Sequence, residues 1–424
     1  MQFASAPVRE ISDTRRMGAK AMWYLPFQFG QRSCPDFEDM APHWVLQRGI
    51  SRSIAEAGLE VGIYVWLNDV FPETWNEHPE WRATNGDYFL EEAEICPSVP
   101  EAHKEINQLR ERLFAGLPRI DYVLTPITDY GGCGCDMCAP FPKTYLRVLE
   151  EQAALVRHYH PDAKIVITGI SASLADNDML RELLTKAPWV DYVWDLPRGP
   201  KPLIRAGMLP ETTMTNGWGR FGPCPVLSDI KRGYQSDLVH LSGVAQYSEG
   251  IHDDVNCFAL LQFAQDPQRS VADVAQAYAE DWLKLSGRDA SLAGQVIAGL
   301  GTEIVTDRLW VPAQPEHGAD RADADERVKI LLDVRNRSHE LENNFRYWLL
   351  HYRAVCESFN VASGSLSLEV LDKEADTARD AFFRLEPEYG RFLAKLHPSL
   401  RPGRSPWNWP RSFRAAWKHE NSFV

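Results

Sequence analysis

Two carboxylates, Asp129 and Glu249, each close a short apolar run and stand directly before glycine-bearing sequence. The first run is Ile120-Asp-Tyr-Val-Leu-Thr-Pro-Ile-Thr-Asp129, followed by Tyr130-Gly131-Gly132-Cys133. The second is Val239-His-Leu-Ser-Gly-Val-Ala-Gln-Tyr-Ser-Glu249, followed by Gly250. A carboxylate placed where a parallel strand opens into a loop lies at the rim where α/β barrels carry their chemistry. Two such groups on different strands imply acid/base work on a substrate held between them. The Gly131-Gly132 pair after Asp129 lets backbone approach a ligand closely.

Sulfur supplies a second signal. Cys133, Cys135 and Cys138 fall within six residues of a chain that has eight cysteines. This clustering suits a metal or thiol site better than a spaced disulfide framework. Tetrahedral zinc needs four ligands. Cys96, at the end of an expected strand next to that of Asp129, supplies the fourth. The expectation is a structural zinc held by Cys96, Cys133, Cys135 and Cys138 that pins the loop carrying Asp129. The alternatives are packed reduced thiols, one disulfide, or an open catalytic zinc.

The elements that must position these groups alternate along the chain. Strands are expected at 19–25, 60–67, 89–96, 120–129, 163–170, 190–196, 212–218 and 239–248. Helices are expected near 43–57, 101–117, 143–158, 178–187, 226–234 and 253–264, with a weak one at 202–206. Ile106, Leu109, Leu113 and Leu117 show the helical spacing. Eight strand–helix units in little more than 250 residues match a (β/α)₈ TIM barrel of the α/β class. No G-x-G-x-x-G follows the first strand, which argues against a dinucleotide fold. The barrel is expected over residues 1–268. A C-terminal α-helical domain with an irregular tail is expected over 269–424, with helices at 270–285, 327–359 and 375–396 and a loop at 311–325.

The composition is that of a soluble globular chain: 44% hydrophobic and 25% charged over 424 residues. A net charge of -14 disfavours nucleic acid and anionic membranes as partners. No apolar run is long enough to span a bilayer. The N-terminus lacks the pattern of a signal peptide, so a cytoplasmic location is expected, or secretion with the signal already removed. Aromatic residues on the C-terminal helices would serve a homodimer or an internal interface equally well.

The strand ends form a polar, ring-lined cup of acids, amides and aromatics. Such a cup suits a carbohydrate, whose hydroxyls need paired donors and acceptors and whose C–H faces take aromatic rings. The expected substrate-binding residues are Trp66, Asn68, Asp69, Glu94, Trp194, Asn216, Trp218, Tyr247 and Arg220. Glycoside hydrolysis needs an acid for the leaving oxygen and a second carboxylate. Asp129 is the candidate acid, and Glu249 or Asp195 the second group. No organic cofactor is implied.

Thr128-Asp-Tyr-Gly-Gly-Cys-Gly-Cys-Asp-Met-Cys138 and Tyr247-Ser-Glu-Gly-Ile-His-Asp-Asp-Val-Asn256 resemble barrel glycoside hydrolases of the family 20 hexosaminidase type and their α-glucuronidase-like relatives. Trp66-Leu-Asn-Asp-Val-Phe-Pro and Phe89-Leu-Glu-Glu-Ala-Glu-Ile-Cys-Pro97 are similar in character. The resemblance is loose and covers roughly residues 19–285. It implies an exo-acting enzyme that removes a terminal N-acetylhexosamine or uronic acid. Family 20 enzymes carry adjacent Asp-Glu where this chain has Thr128-Asp129. The carboxylate that polarises an acetamide is therefore missing at that point, which adds weight to a uronic acid. Arg198, Lys201 and Arg220 would serve a sugar carboxylate. A carbohydrate-binding barrel without turnover, and a metal-dependent hydrolase using the cysteines, are the other readings.

Overall fold

The computed structural model describes residues 7–26, 29, 41–84, 93–127, 132–170, 176–194, 196, 198–208, 225–237, 241–247, 254–300, 321–360 and 365–387. Among these, seven strands form one sheet in chain order: β1 (Ala21–Tyr24), β2 (Glu60–Tyr64), β3 (Tyr122–Ile127), β4 (Lys164–Ile170), β5 (Tyr192–Trp194), β6 (Leu203–Met208) and β7 (Leu241–Tyr247). From β1 to β6 each neighbouring pair is parallel. Parallel neighbours require crossovers. Helices α1 (Pro7–Arg16), α2 (Ala41–Glu56), α3 (Pro72–Glu77), α4 (Pro100–Gly116), α5 (Phe141–Tyr159) and α6 (Asn177–Leu184) lie between the strands or before the first. The α/β class expected from the alternation is present.

Period-two alternation sorts each strand's side chains between the two faces. Val61, Ile63, Val123, Ile165, Ile167 and Val193 share one face and are all buried. Helix α2 packs on β2, α6 on β4, and α5 on both α4 and α6. Pro100 starts α4 at a position where no amide donor is needed, and Ile106, Leu109 and Leu113 form its buried stripe.

The other face is aromatic. Trp23 meets Tyr64 at 5.9 Å and Tyr122 at 5.3 Å between ring centroids. Trp194 stands edge-on to Trp23 at 6.0 Å. Register explains how Trp23 fits: it lies opposite Gly62. A Cβ at Gly62 would come within 2.3 Å of the Trp23 ring, so glycine supplies the space for the indole.

Two expected elements differ. The described end of the 89–96 segment is not a sheet strand, and β2 pairs directly with β3. Glu94 and Ile95 instead make single antiparallel bridges to Asp69 and Arg82. The amide of Ile95, which is fully buried, donates to the Asn68 carbonyl at 3.0 Å. The segment thus folds back on the chain leaving β2. The weak helix expected at 202–206 is strand β6, whose Leu203 and Ile204 pair with Val193 and Trp194. Ile204 is β-branched, which favours the extended form there. The strand expected at 212–218 lies outside the described residues.

The chain divides into two units: Met1–Ala206 with Val239–Val244, and Gly207–Leu238 with Ala245–Val424. In the second, the described helices are α7 (Leu227–Asp237), α8 (Asp254–Gln265), α9 (Val271–Trp282), α10 (Gly287–Gly299), α11 (Arg321–Arg337), α12 (Phe345–Asn360) and α13 (Leu368–Leu385). The single long helix expected at 327–359 is two helices joined by a 3₁₀ turn, His339–Asn343. Asn344 makes the break. Its side-chain oxygen accepts from the amides of Arg346 at 3.1 Å and Tyr347 at 3.3 Å, and its amide donates to the Trp282 carbonyl at 2.7 Å. Residues 321–325, expected in a loop, begin α11. Between α12 and α13, the fully buried His351 bonds Glu374 at 3.0 Å and stacks on Tyr347. No helix among the described residues is long and apolar enough to cross a membrane.

Candidate metal centre and catalytic rim

The two chain segments that follow β2 and β3 converge on sulfur. The Sγ atoms of Cys96, Cys133, Cys135 and Cys138 all lie within 4.8 Å of one another. Cys96 stands 3.6 Å from both Cys135 and Cys138. Cys96, Cys133 and Cys138 are buried, Cys135 is half-buried, and none is in a disulfide. The local backbone is built for this. The Gly134 amide donates to the Thr84 carbonyl at 2.6 Å, and a tight turn brings the Cys138 amide to the Cys135 carbonyl at 2.9 Å. Ser98 Oγ stands 3.1 Å from the Cys138 sulfur, and Thr144 Oγ1 donates to the Cys138 carbonyl at 3.0 Å. Thr84 Oγ1 stands 3.9 Å from the Cys133 sulfur.

Crowded thiols cannot all ionise without a cation. Hydrogen bonds from Cys138 and Cys96 hold the Cys133 thiol far below its ordinary range. The same contact with Cys133 pushes Cys96 up to about 11 and raises Cys138 as well. One thiolate is favoured and its neighbours resist.

The cluster is fastened to the sheet through Asn68. This side chain is fully buried. Its amide donates to the carbonyls of Ile95 at 2.9 Å and Gly132 at 3.0 Å, and its oxygen accepts from the Gly132 amide at 2.9 Å. Asn68 was expected at a substrate, but these bonds use its amide on backbone and make it a clamp. Gly132 has φ 107°, a conformation that favours glycine. Arg110, which the sequence reading missed, is fully buried on α4 and donates to the Leu67 carbonyl next door. Burial pulls its guanidinium down to about 10. An arginine on the apolar stripe of α4, one position from Leu109, was the available signal. Helix α5 grips β3: Tyr145 donates to the Thr125 carbonyl and Gln152 to its hydroxyl, both at 2.8 Å.

The candidate rim is described in part. Parallel strands end on one edge of a sheet. In sequence, Asp129 follows β3 by two residues and Asp195 follows β5 by one. Glu249 comes two residues after Tyr247, the last residue of β7. Asp129, Asp195, Glu249, Asn216, Trp218 and Arg220 lie outside the described residues, as does the side chain of Tyr247. Trp194 is buried at the end of β5, with its ring against Trp23 and Tyr64. Trp66 is half-buried just past β2. Asp69 accepts from the Phe29 amide at 2.9 Å, and Glu94 pairs with Asp69 through backbone.

No protein-family model matches the sequence, and no curated protein matches it. Solved structures do resemble the fold. A family 89 glycoside hydrolase from Clostridium perfringens, in complex with PUGNAc, superposes with a TM-score of 0.54 at 13% identity over 95% of this chain. A variant described as CpGH89, from the same organism and in complex with its substrate GlcNAc-alpha-1,4-galactose, gives 0.53 at 12% identity, again over 95%. The chain spans about half the length of each, 52%. At this identity the likeness shows a shared fold, and the resemblance to barrel glycoside hydrolases holds at that level.

Proposed function

We propose that the protein is a glycoside hydrolase that removes a terminal sugar by carboxylate acid/base catalysis on a (β/α)₈ barrel. In this reading the barrel occupies residues 1–268 and a helical domain 269–424. Asp129 protonates the leaving oxygen, and Glu249 or Asp195 attacks carbon or activates water. No cofactor takes part in the chemistry. The carrying observation is the anchoring of the link that holds Asp129. Ile127 ends β3 in the sheet, Gly132 is bracketed by Asn68, and only residues 128–131 lie between them. A short link between two fixed points is what an acid needs if it is to be held in register with a bound substrate. The half-buried rings of Trp23 and Trp66 suit the C–H surface of a sugar ring.

The Clostridium perfringens neighbour is bound to a substrate containing N-acetylglucosamine, which supports a terminal N-acetylhexosamine as the first substrate to test. Thr128, where family 20 enzymes carry a polarising carboxylate, favours testing a uronic acid beside it, with Arg220, Arg198 or Lys201 as the partner of its carboxylate. The cysteines do not support a metal-dependent hydrolase, because an ion bound by four thiolates has no open position for water.

Hydrolysis of aryl N-acetylglucosaminide, N-acetylgalactosaminide, glucuronide, galactoside and glucoside, in both anomers, tests the reading. Turnover of an N-acetylhexosaminide or a glucuronide is expected. Binding of a sugar without hydrolysis of any member would replace it with a carbohydrate-binding barrel.

A further inference from the structure

We propose that Cys96, Cys133, Cys135 and Cys138 bind one zinc ion through all four thiolates, closing a structural site that ties the segment after β2 to the loop after β3. The geometry has the right size. Zinc–sulfur bonds of about 2.3 Å in a tetrahedron put the sulfurs about 3.8 Å apart. Two observed separations are 3.6 Å, and all four atoms lie within 4.8 Å. A polynuclear iron–sulfur cluster would hold its cysteine sulfurs farther apart than a single ion does. Four soft thiolates in a tetrahedral set select zinc or mononuclear iron over magnesium or calcium.

The surroundings are those of bound thiolates. Ser98 Oγ stands 3.1 Å from the Cys138 sulfur, and Thr84 Oγ1 stands 3.9 Å from that of Cys133. Such donors offset the net double negative charge of an ion with four thiolates, as outer-shell partners do at metal sites. Loading releases to solvent the protons still carried by the thiols and takes up one divalent cation; nothing is oxidised.

The ligands also come from two separate stretches, 96 and 133–138, each already tied to Asn68 by backbone. Metal at this point would cross-link the two stretches where Asn68 only hydrogen-bonds them. Any role of that cross-link in holding Asp129 as an acid rests on the glycosidase reading, whereas the metal site does not.

The test reads metal and not activity. The full chain is purified under reducing conditions without chelator and its metals are measured. About one zinc per chain is expected. Cobalt substitution should give the thiolate-to-metal charge-transfer and visible bands of a tetrahedral four-sulfur site. Cys138→Ser should lose the ion. The half-buried Cys135 gives a milder variant should that one fail to fold: Cys135→Ser should weaken cobalt binding by more than the about 10–100-fold typical of outer-shell changes. Wild type that is metal-free and takes up no cobalt would overturn the site. Iron in place of zinc would overturn the metal assigned, and unchanged cobalt spectra in both serine variants would overturn the ligand set.

Discussion

The buried carboxamide of Asn68 brackets one peptide unit of Gly132, accepting from its amide at 2.9 Å and donating to its carbonyl at 3.0 Å. The two residues are 64 positions apart in the chain. This pairing joins the exit of β2 to the loop after β3, so it bears on the segment that carries Asp129 and on the cysteine cluster together.

Asn68→Ala leaves the Gly132 amide and the carbonyls of Gly132 and Ile95 without this partner in a buried site. A loss of about 2–4 kcal/mol is expected from stranded buried groups. Urea unfolding measures it. Asn68→Asp keeps the acceptor for the Gly132 amide but loses both donations and should not rescue. A change under about 0.5 kcal/mol, the range of ordinary surface substitutions, would mean the bracket is not structural.

Gly62→Ala forces a methyl group into the Trp23 ring. Overpacking of this kind costs about 1–3 kcal/mol. Trp23→Leu in the same chain should recover part of that loss, because the two substitutions share one contact. Strictly additive losses in a double-mutant cycle would show that the indole can move aside.

His351 gives stability a pH dependence. Burial holds its imidazole below the ordinary value, ahead of the opposing bond to Glu374; Arg335 nearby acts in the same sense as burial. The folded state therefore resists a proton that the unfolded chain accepts below about pH 6.5. Stability from this group is full above that pH. It falls as pH drops toward the lower folded value, at up to about 1.4 kcal/mol per pH unit. His351→Gln should flatten the slope of unfolding free energy between pH 7 and 5.5. An unchanged slope would assign the acid sensitivity elsewhere, for example to Glu374, whose own value is lowered and whose loss belongs at more acid pH.

Much of the sheet could be read from sequence because β1, β2, β3, β4, β5 and β7 are apolar runs bounded by helical spacing. Strand β6 was misread because Arg205, Ala206 and Gly207 dilute its β-branched signal. The 89–96 run has strand-like composition, yet its described end turns back to pair with the chain at Asn68 and Arg82, a tertiary choice that propensity does not encode. Cys96 joins the other cysteines as expected, but by that fold-back and not as the neighbouring barrel strand. The break between α11 and α12 had a signal in Asn343-Asn344, outweighed by the apolar spacing on both sides. Arg110 stayed hidden because a cation on a helix is ordinarily a solvated one.

The most direct measurement concerns Asp129 as the acid. Asp129→Asn and wild type are compared on one sugar carrying a series of leaving groups, from dinitrophenol to an alkyl alcohol. An acid is needed most where the leaving oxygen is most basic. The account predicts a loss of about 10²–10⁴-fold on the alkyl glycoside, little loss on the dinitrophenyl one, and disappearance of the basic limb of the pH–rate profile. Equal losses across the series, or none, would contradict it.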